Sequence, residues 1–270
     1  MKLYIDFGGT NFRYKFENDE QMFKLSSKDI NLIEFLNNIV KQNPNINQIN
    51  ISFAGIVNNG KIISSANTNM GNFDLKKYCK DNFNIDLNIQ NDLKCAALAE
   101  HNYLKTPSLG VFYIGTGFGA AFFDNNKLIL GANNQSSEIG HTPFKKTPFK
   151  CGCGREDCIE LCVSGSGIQK WCEYYNIPRE YRRLDKLEAL DTKEAKIIID
   201  NFYEGLSHAF HTALTLFDFN NLVLGGSVGK NKQIQEYLLK QLEQSAFSKK
   251  DLNIYISNLE EGSLEGTYFL

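Results

Sequence analysis

The chain reads as an α/β protein of two lobes, and three observations predict this. Residues before about 105 run strand, strand, strand, helix, strand, helix, and a second run with the same opening starts near Thr106-Pro107. Each run opens on a strand, a glycine-rich turn and a second strand: Gly8-Gly9 in the first, Gly115-Thr116-Gly117 in the second, about 105 residues later. The length of 270 residues accommodates two domains of ordinary size. The expected division is 1–105 and 106–270.

The elements follow in order. Residues 2–7 alternate into a strand, Gly8-Gly9 turns the chain, and strands are expected at 11–16 and 21–24. An amphipathic helix covers 31–42. The strand 48–53 ends at Ala54-Gly55, and Asn58-Asn59-Gly60 makes a hairpin into 61–64. A helix at 74–82 and a strand at 86–90 lead to Asn91-Asp92, which opens a helix to about Tyr103. The second run has strands at 109–114, 119–124 and 127–130. After an irregular cysteine-rich segment come helices at 165–175 and 193–217, a strand at 221–224 ending in Gly225-Gly226, a helix at 232–244 and a strand at 253–257. The echo of Thr-Pro-Phe-Lys at 142 and 147 reads as a surface spacer.

Composition narrows the function. The net charge is −2 with scattered lysines, so the basic face of a nucleic-acid binder is not expected. The apolar uncharged stretch Ser108 to Phe123 is 16 residues and is broken by glycines, so no membrane span is expected. Met1 to Asp6 has no apolar signal-peptide core, and the seven cysteines are odd in number with three clustered. Together these point to a reducing, cytoplasmic setting and not a disulfide framework. Cys79, Cys95, Cys162 and Cys172 are expected to be small buried apolar residues.

The chemistry concentrates between Glu138 and Glu160. Cys151, Cys153 and Cys158 with His141 make a tetrahedral set of sulfur and nitrogen donors suited to structural Zn2+. A nucleic-acid zinc ribbon would use two separated Cys-x-x-Cys pairs in basic surroundings, and this segment has neither. Glu138 and Glu160 flank the donors and are expected to act on something the metal-pinned loop holds. The two glycine turns supply backbone N–H groups of the kind that cradle phosphates. Asp92, at a strand end and helix start, is either an N-cap or a carboxylate presented to a ligand.

Several motifs together resemble one family. Asp6-Phe-Gly-Gly-Thr-Asn-Phe-Arg13, Gly115-Thr-Gly-Phe-Gly119, Glu138-Ile-Gly-His141 and Cys151-Gly-Cys-Gly-Arg-Glu-Asp-Cys-Ile-Glu160 resemble the ROK family of sugar kinases and repressors, within the actin-like ATPase and hexokinase clan. The matches run in the family's order from Asp6 to Gly226. The resemblance implies two actin-like, ribonuclease H-like lobes with a cleft between them and a zinc knuckle in the second.

The resemblance also implies roles. Asp6 would lie near Mg2+, with Gly8, Gly9, Thr10, Asn11 and Arg13 around the phosphates of ATP. Gly115, Thr116 and Gly117 would form the second phosphate loop, and Gly225-Gly226 would lie against the nucleoside. Asn91 would bind a sugar hydroxyl and Asp92 would be the catalytic base and contact the sugar. Asn69, Glu138, His141 and Glu160 would also contact it, and His141 with Cys151, Cys153 and Cys158 would hold zinc.

Phosphoryl transfer to an alcohol needs such a set: a positioned acceptor, neutralised phosphates and a carboxylate to receive the proton. The expected reaction is ATP-dependent phosphorylation of glucose at the 6-hydroxyl by a cytoplasmic homo-oligomer, a dimer. The alternatives are a kinase for fructose, mannose, N-acetylmannosamine or another N-acetylhexosamine, and a non-catalytic sugar sensor. A repressor would carry a helix-turn-helix ahead of a core whose phosphate loop here begins at residue 6. Ser136-Ser137 stands where the family commonly has Ala-Gly, Asp157 where it has glycine, and Ile56-Val57 where many members have proline. These departures bear on the identity of the sugar.

Overall fold

Strand β1 (Lys2–Phe7) buries every residue after Lys2, the pattern of a strand covered on both faces. The computed structural model describes residues 1–65, 70–244 and 251–270. Around β1 in the first unit lie β2 (Asn11–Phe16), β3 (Phe23–Ser26), α1 (Leu32–Gln42), β4 (Gln48–Phe53), β5 (Ile56–Asn58), β6 (Lys61–Ser64), β7 (Phe73–Asp74), α2 (Leu75–Phe83), β8 (Asp86–Asn91) and α3 (Asp92–Leu104). The main sheet has the order β3-β2-β1-β4-β8. The first three strands in sequence are antiparallel neighbours, and β4 and β8 run parallel to β1. Asn31 starts α1 by accepting the N–H groups of Ile33 and Glu34, and Leu32, Leu36 and Ile39 turn one stripe onto the sheet. There they meet a core of Leu3, Ile5, Phe7, Phe12, Ile49, Ile51 and Phe53.

The second unit repeats the plan with β9 (Leu109–Ile114), β10 (Phe118–Asp124), β11 (Lys127–Leu128), α4 (Gly165–Tyr174), α5 (Leu184–Leu187), α6 (Lys193–Phe217), β12 (Asn221–Gly225), α7 (Gly226–Gly229), α8 (Lys232–Gln244) and β13 (Asn253–Ile256). Its sheet order is β11-β10-β9-β12-β13, with the same two antiparallel and two parallel pairings. Thr192 caps α6, whose Ala195, Ile198, Phe202, Leu206, Ala209 and Ala213 recur at helical spacing and are buried. Phe122 stacks on Phe217 at 3.9 Å inside this core. Cys79, Cys95, Cys162 and Cys172 are buried as expected, and burial pushes the Cys79 thiol up to about 12. Among the described residues no helix is long and apolar enough to cross a membrane.

The units are not two unbroken halves. The first comprises Met1–Leu104, Leu130–Gln135 and Leu259–Leu270; the second comprises Lys105–Ile129 and Ser136–Asn258. The sequence reading keeps everything after residue 105 in the second lobe and ends the chain's elements at a strand. Instead α9 (Gly262–Gly266) packs against α3. A Cβ at Gly266 would lie 1.7 Å from the Cys95 carbonyl oxygen, so only glycine permits this approach. The strand expected at 127–130 stops at Leu128, because the chain there departs for the first unit.

The Thr-Pro-Phe-Lys echo is also corrected. Pro143 bridges to Cys158, Phe144 N–H donates to the Asp157 carbonyl at 2.7 Å, and Thr147 N–H donates to Glu156 at 2.8 Å. Thr147 is buried and Phe149 packs edge-on against Trp171, so the echo backs the cysteine segment and is not a spacer.

Candidate active site

The first glycine turn closes between the paired residues Phe7 and Phe12. Gly8 N–H donates to the Asn11 carbonyl, Ser27 Oγ donates to the Gly8 carbonyl, and Ser27 N–H donates to the Thr10 carbonyl, which leaves Thr10 exposed at the tip with Gly9 beside it. Asp6, 3% exposed, sits at the base of this turn on β1. Its Oδ2 accepts from Arg13 Nη1 and its Oδ1 from Ser52 Oγ, both at 2.8 Å. Arg13 Nε pairs in turn with Glu261 at 2.8 Å. Burial raises the Asp6 carboxyl above its usual range, and the Ser52 and Arg13 contacts pull it partly back.

Sequence reasoning missed Ser52 and Glu261. A serine within the buried run Ile49 to Phe53 was a signal; nothing local marked Glu261. Arg13, expected around phosphates, is held between two carboxylates.

At the end of β8, Asn91 is the capping residue of α3. Its Oδ1 accepts Leu93 N–H at 3.0 Å and Lys94 N–H at 3.2 Å, while its Nδ2 donates to the Gly55 carbonyl at 3.2 Å. Asp92 is therefore not needed as the cap. It is half-buried, with Oδ1 accepting Leu93 N–H at 2.9 Å. Asn69 lies outside the described residues.

In the second unit, Ile114 and Phe118 close the turn through Gly115, Thr116 and Gly117, with Gly115 N–H donating to Gly117. The chain that follows the cysteines clasps it. Gly165 N–H donates to the Gly115 carbonyl at 2.7 Å, Ser166 N–H to the Thr116 carbonyl at 3.1 Å, and Phe118 N–H to Glu160 Oε2 at 2.9 Å. Gly225 ends β12 and Gly226 starts α7 with a φ of 79°. Beside that turn a cavity of about 520 Å³ is lined by Gly165, Ile168, Gln169, Arg182, Ser227 and Asn231 among others, large enough for a nucleoside.

His141, Cys151, Cys153 and Cys158 bring one donor atom each within 4.8 Å of one another. His141 Nδ1 faces Cys151 Sγ at 3.4 Å, and the Cys153 and Cys158 sulfurs are 3.4 Å apart. Zinc bound tetrahedrally to sulfur at about 2.3 Å sets its ligands roughly 3.5–3.8 Å apart, so the donor set fits that ion. Burial pushes the Cys151 and Cys158 thiols up, so a metal taking them as thiolates would release protons. Nδ1 being the inward nitrogen leaves Nε2 of His141 for another partner.

The neighbouring residues are placed by the same segment. Glu138 is exposed, one position before a short helical turn at Ile139–His141. A Cβ at Gly140 would lie 2.1 Å from the Phe118 carbonyl oxygen, which explains the glycine of Glu-x-Gly-His as a contact with β10.

The ROK family model matches residues 4–266. The chain belongs to the ROK family. Among curated relatives, the N-acetyl-D-glucosamine kinase of Aliivibrio salmonicida is 28% identical over 214 residues, covering 73% of this chain and 70% of that protein. The N-acetylmannosamine kinase of Escherichia coli is 27% identical over 184 residues, covering 66% of this chain and 63% of that protein. The ROK hexokinase from Thermus thermophilus superposes with a TM-score of 0.80 at 20% identity, covering 98% of this chain and 95% of that one. That likeness establishes the fold: the twin five-stranded sheets and their helices are those of ROK sugar kinases.

Proposed function

We propose that this ROK protein is an ATP-dependent kinase that phosphorylates an N-acetylhexosamine, N-acetylglucosamine or N-acetylmannosamine, at its 6-hydroxyl. The observation that carries the reading is the family match across residues 4–266, joined to relatives named as kinases of those two sugars. Glucose, the acceptor expected from the sequence, becomes the second reading, favoured by the hexokinase whose fold the chain shares. The Ser136-Ser137 and Asp157 departures fall beside the residues assigned to the sugar and agree with an acceptor other than glucose.

In this reading Asp92 receives the proton of the acceptor hydroxyl as that oxygen attacks the terminal phosphorus of ATP. Asn91 keeps one Nδ2 hydrogen for a sugar hydroxyl beyond its bond to Gly55. Glu138, Glu160 and the Nε2 edge of His141 recognise the remaining hydroxyls, and Asn69 is retained as a further sugar contact. Gly8, Gly9, Thr10 and Asn11 in one turn, and Gly115, Thr116 and Gly117 in the other, offer backbone N–H groups to the phosphates, with Gly225-Gly226 against the nucleoside. Asp6, tuned by Arg13, would hold the Mg2+ that accompanies the nucleotide, which would supply charge neutralisation at the phosphates. Zn2+ on His141, Cys151, Cys153 and Cys158 serves as a structural pin for the sugar loop.

The test is an ADP-release assay with ATP over N-acetylglucosamine, N-acetylmannosamine, glucose, mannose and fructose. The proposal expects the highest kcat/KM with one of the two acetamido sugars. Highest kcat/KM with glucose would establish the second reading, and no turnover with any sugar would leave a sensor.

A further inference from the structure

Asn134 lies in the short Leu130–Gln135 segment, which belongs to the first unit although the chain on both sides of it belongs to the second. Ser136 Oγ donates to the Ile129 carbonyl and so ties the two ends of this excursion together. At its far side the Asn134 side chain is fully used. Nδ2 donates to the Val57 carbonyl and to Gln90 Oε1, both at 2.8 Å. Oδ1 accepts from Gln90 Nε2 at 3.3 Å and from Lys94 Nζ at 3.1 Å. Two donors and two acceptor sites are all that a primary amide has, and each is engaged.

The partners matter more than the number of bonds. Gln90 and Lys94 stand two residues before and two residues after Asp92. Gln90 Oε1 also accepts the N–H of Asn91 at 2.7 Å, so the amide pair reaches the backbone of the strand-to-helix junction directly. Lys94 is 2% exposed in the first turn of α3, and its ammonium also donates to the Asn134 carbonyl at 2.6 Å. A buried ammonium is costly unless hydrogen-bonded, and Asn134 supplies two acceptors. Its backbone is left-handed at φ 56°, a conformation asparagine tolerates, which turns carbonyl and amide toward the same neighbours.

We propose that Asn134 is a positioning residue for phosphoryl transfer: by clamping Gln90 and Lys94 it fixes the junction that carries Asp92. The inference rests on the reading of Asp92 as the base. An aspartate at position 134 would lose both donors, and an apolar residue would lose all four side-chain bonds, so the role calls for an amide.

The experiment uses the full chain, Mg-ATP and the best sugar of the panel above. Asn134→Gly keeps the left-handed backbone and removes only the side chain. It is expected to lower kcat by about 10–100-fold, the cost of a reacting group displaced by about 1 Å, while both KM values stay within about threefold. Gln90→Ala is expected to give the same kcat-selective loss, and the double variant should lose little beyond either single change. The pair guards against failure of one variant to fold, which a thermal melt detects. Asp92→Asn run alongside separates the two readings. An inactive Asp92→Asn with Asn134→Gly and Gln90→Ala at parental kcat overturns the role of Asn134 alone. An active Asp92→Asn overturns the base assignment and this inference with it.

Discussion

Glu160 Oε2 accepts the backbone N–H of Phe118 at 2.9 Å, while its Oε1 lies 3.5 Å from Cys151 Sγ. One carboxylate thus touches both the donor cluster and the residue that closes the second glycine turn. Sequence assigned Glu160 to the sugar alone; its position also makes it a strut under the second glycine turn. Glu160→Ala should therefore raise the KM for ATP by about tenfold or more, the weight of one charge-assisted hydrogen bond, as well as weakening the sugar. Glu160→Gln, which keeps an acceptor, should lose less. An unchanged nucleotide KM in the alanine variant would show that the strut is not needed.

Asp92→Asn tests the base. The amide can hold the same geometry but cannot take a proton, so kcat should fall by about 10²–10⁴-fold with sugar affinity retained. Isothermal titration of the sugar and single-turnover kinetics measure the two separately. Near-parental turnover would remove Asp92 from the chemistry.

Metal content is checked by mass spectrometry before and after chelation. One Zn2+ per chain is expected, with Cys153, the exposed donor, the most accessible point of attack. Stripping the metal, or Cys153→Ser, should weaken sugar binding by about 10–100-fold through loss of orientation at His141. A chain with no zinc and full sugar affinity would contradict the structural role.

Ser137 carries two penalties at once. Its φ is 73°, and its buried hydroxyl has no hydrogen-bond partner among the described residues. Glycine removes both, so Ser137→Gly should stabilise the fold by about 1–2 kcal/mol. Calorimetry should register a rise in Tm of about 2–4 °C per kcal/mol for a chain of this size. A fall in Tm would mean that the hydroxyl has a role in the folded chain that the geometry does not reveal.

Asp6 gives a pH prediction. Its carboxyl titrates above the usual range, first because it is buried, and the Ser52 hydrogen bond opposes that rise. Ser52→Ala should move the value further up, so Asp6 keeps its proton to higher pH and the acid limb of kcat/KM for Mg-ATP shifts upward. The sign for stability is the same: the unfolded carboxyl ionises first, so this group's contribution declines as pH rises toward the folded value, and the decline extends further in the variant. An acid limb that does not move would separate Asp6 from the profile.

Much of the fold was legible because it is written locally. The glycine turns and the donor spacing of Cys151, Cys153 and Cys158 each lie within a few residues and announce a geometry. What was illegible is long-range. Glu261 meets Arg13, Asn134 meets Gln90, and Ser52 meets Asp6 only after the chain has returned to its first sheet, and no periodicity records such pairings. The helix Gly262–Gly266 has glycine at both ends and no amphipathic repeat; its contact with α3 makes it a helix. Asn91 rather than Asp92 proved to be the cap because the two are adjacent and equally suited by propensity.

The seat of Gly266 against Cys95 sets an order of assembly. Leu259–Leu270, part of the first unit, is synthesised only after every strand of the second sheet. While the second sheet is being made, the part of α3 that receives Gly266 waits for a segment not yet translated. The unit that opens the chain is thus completed after the one that follows it.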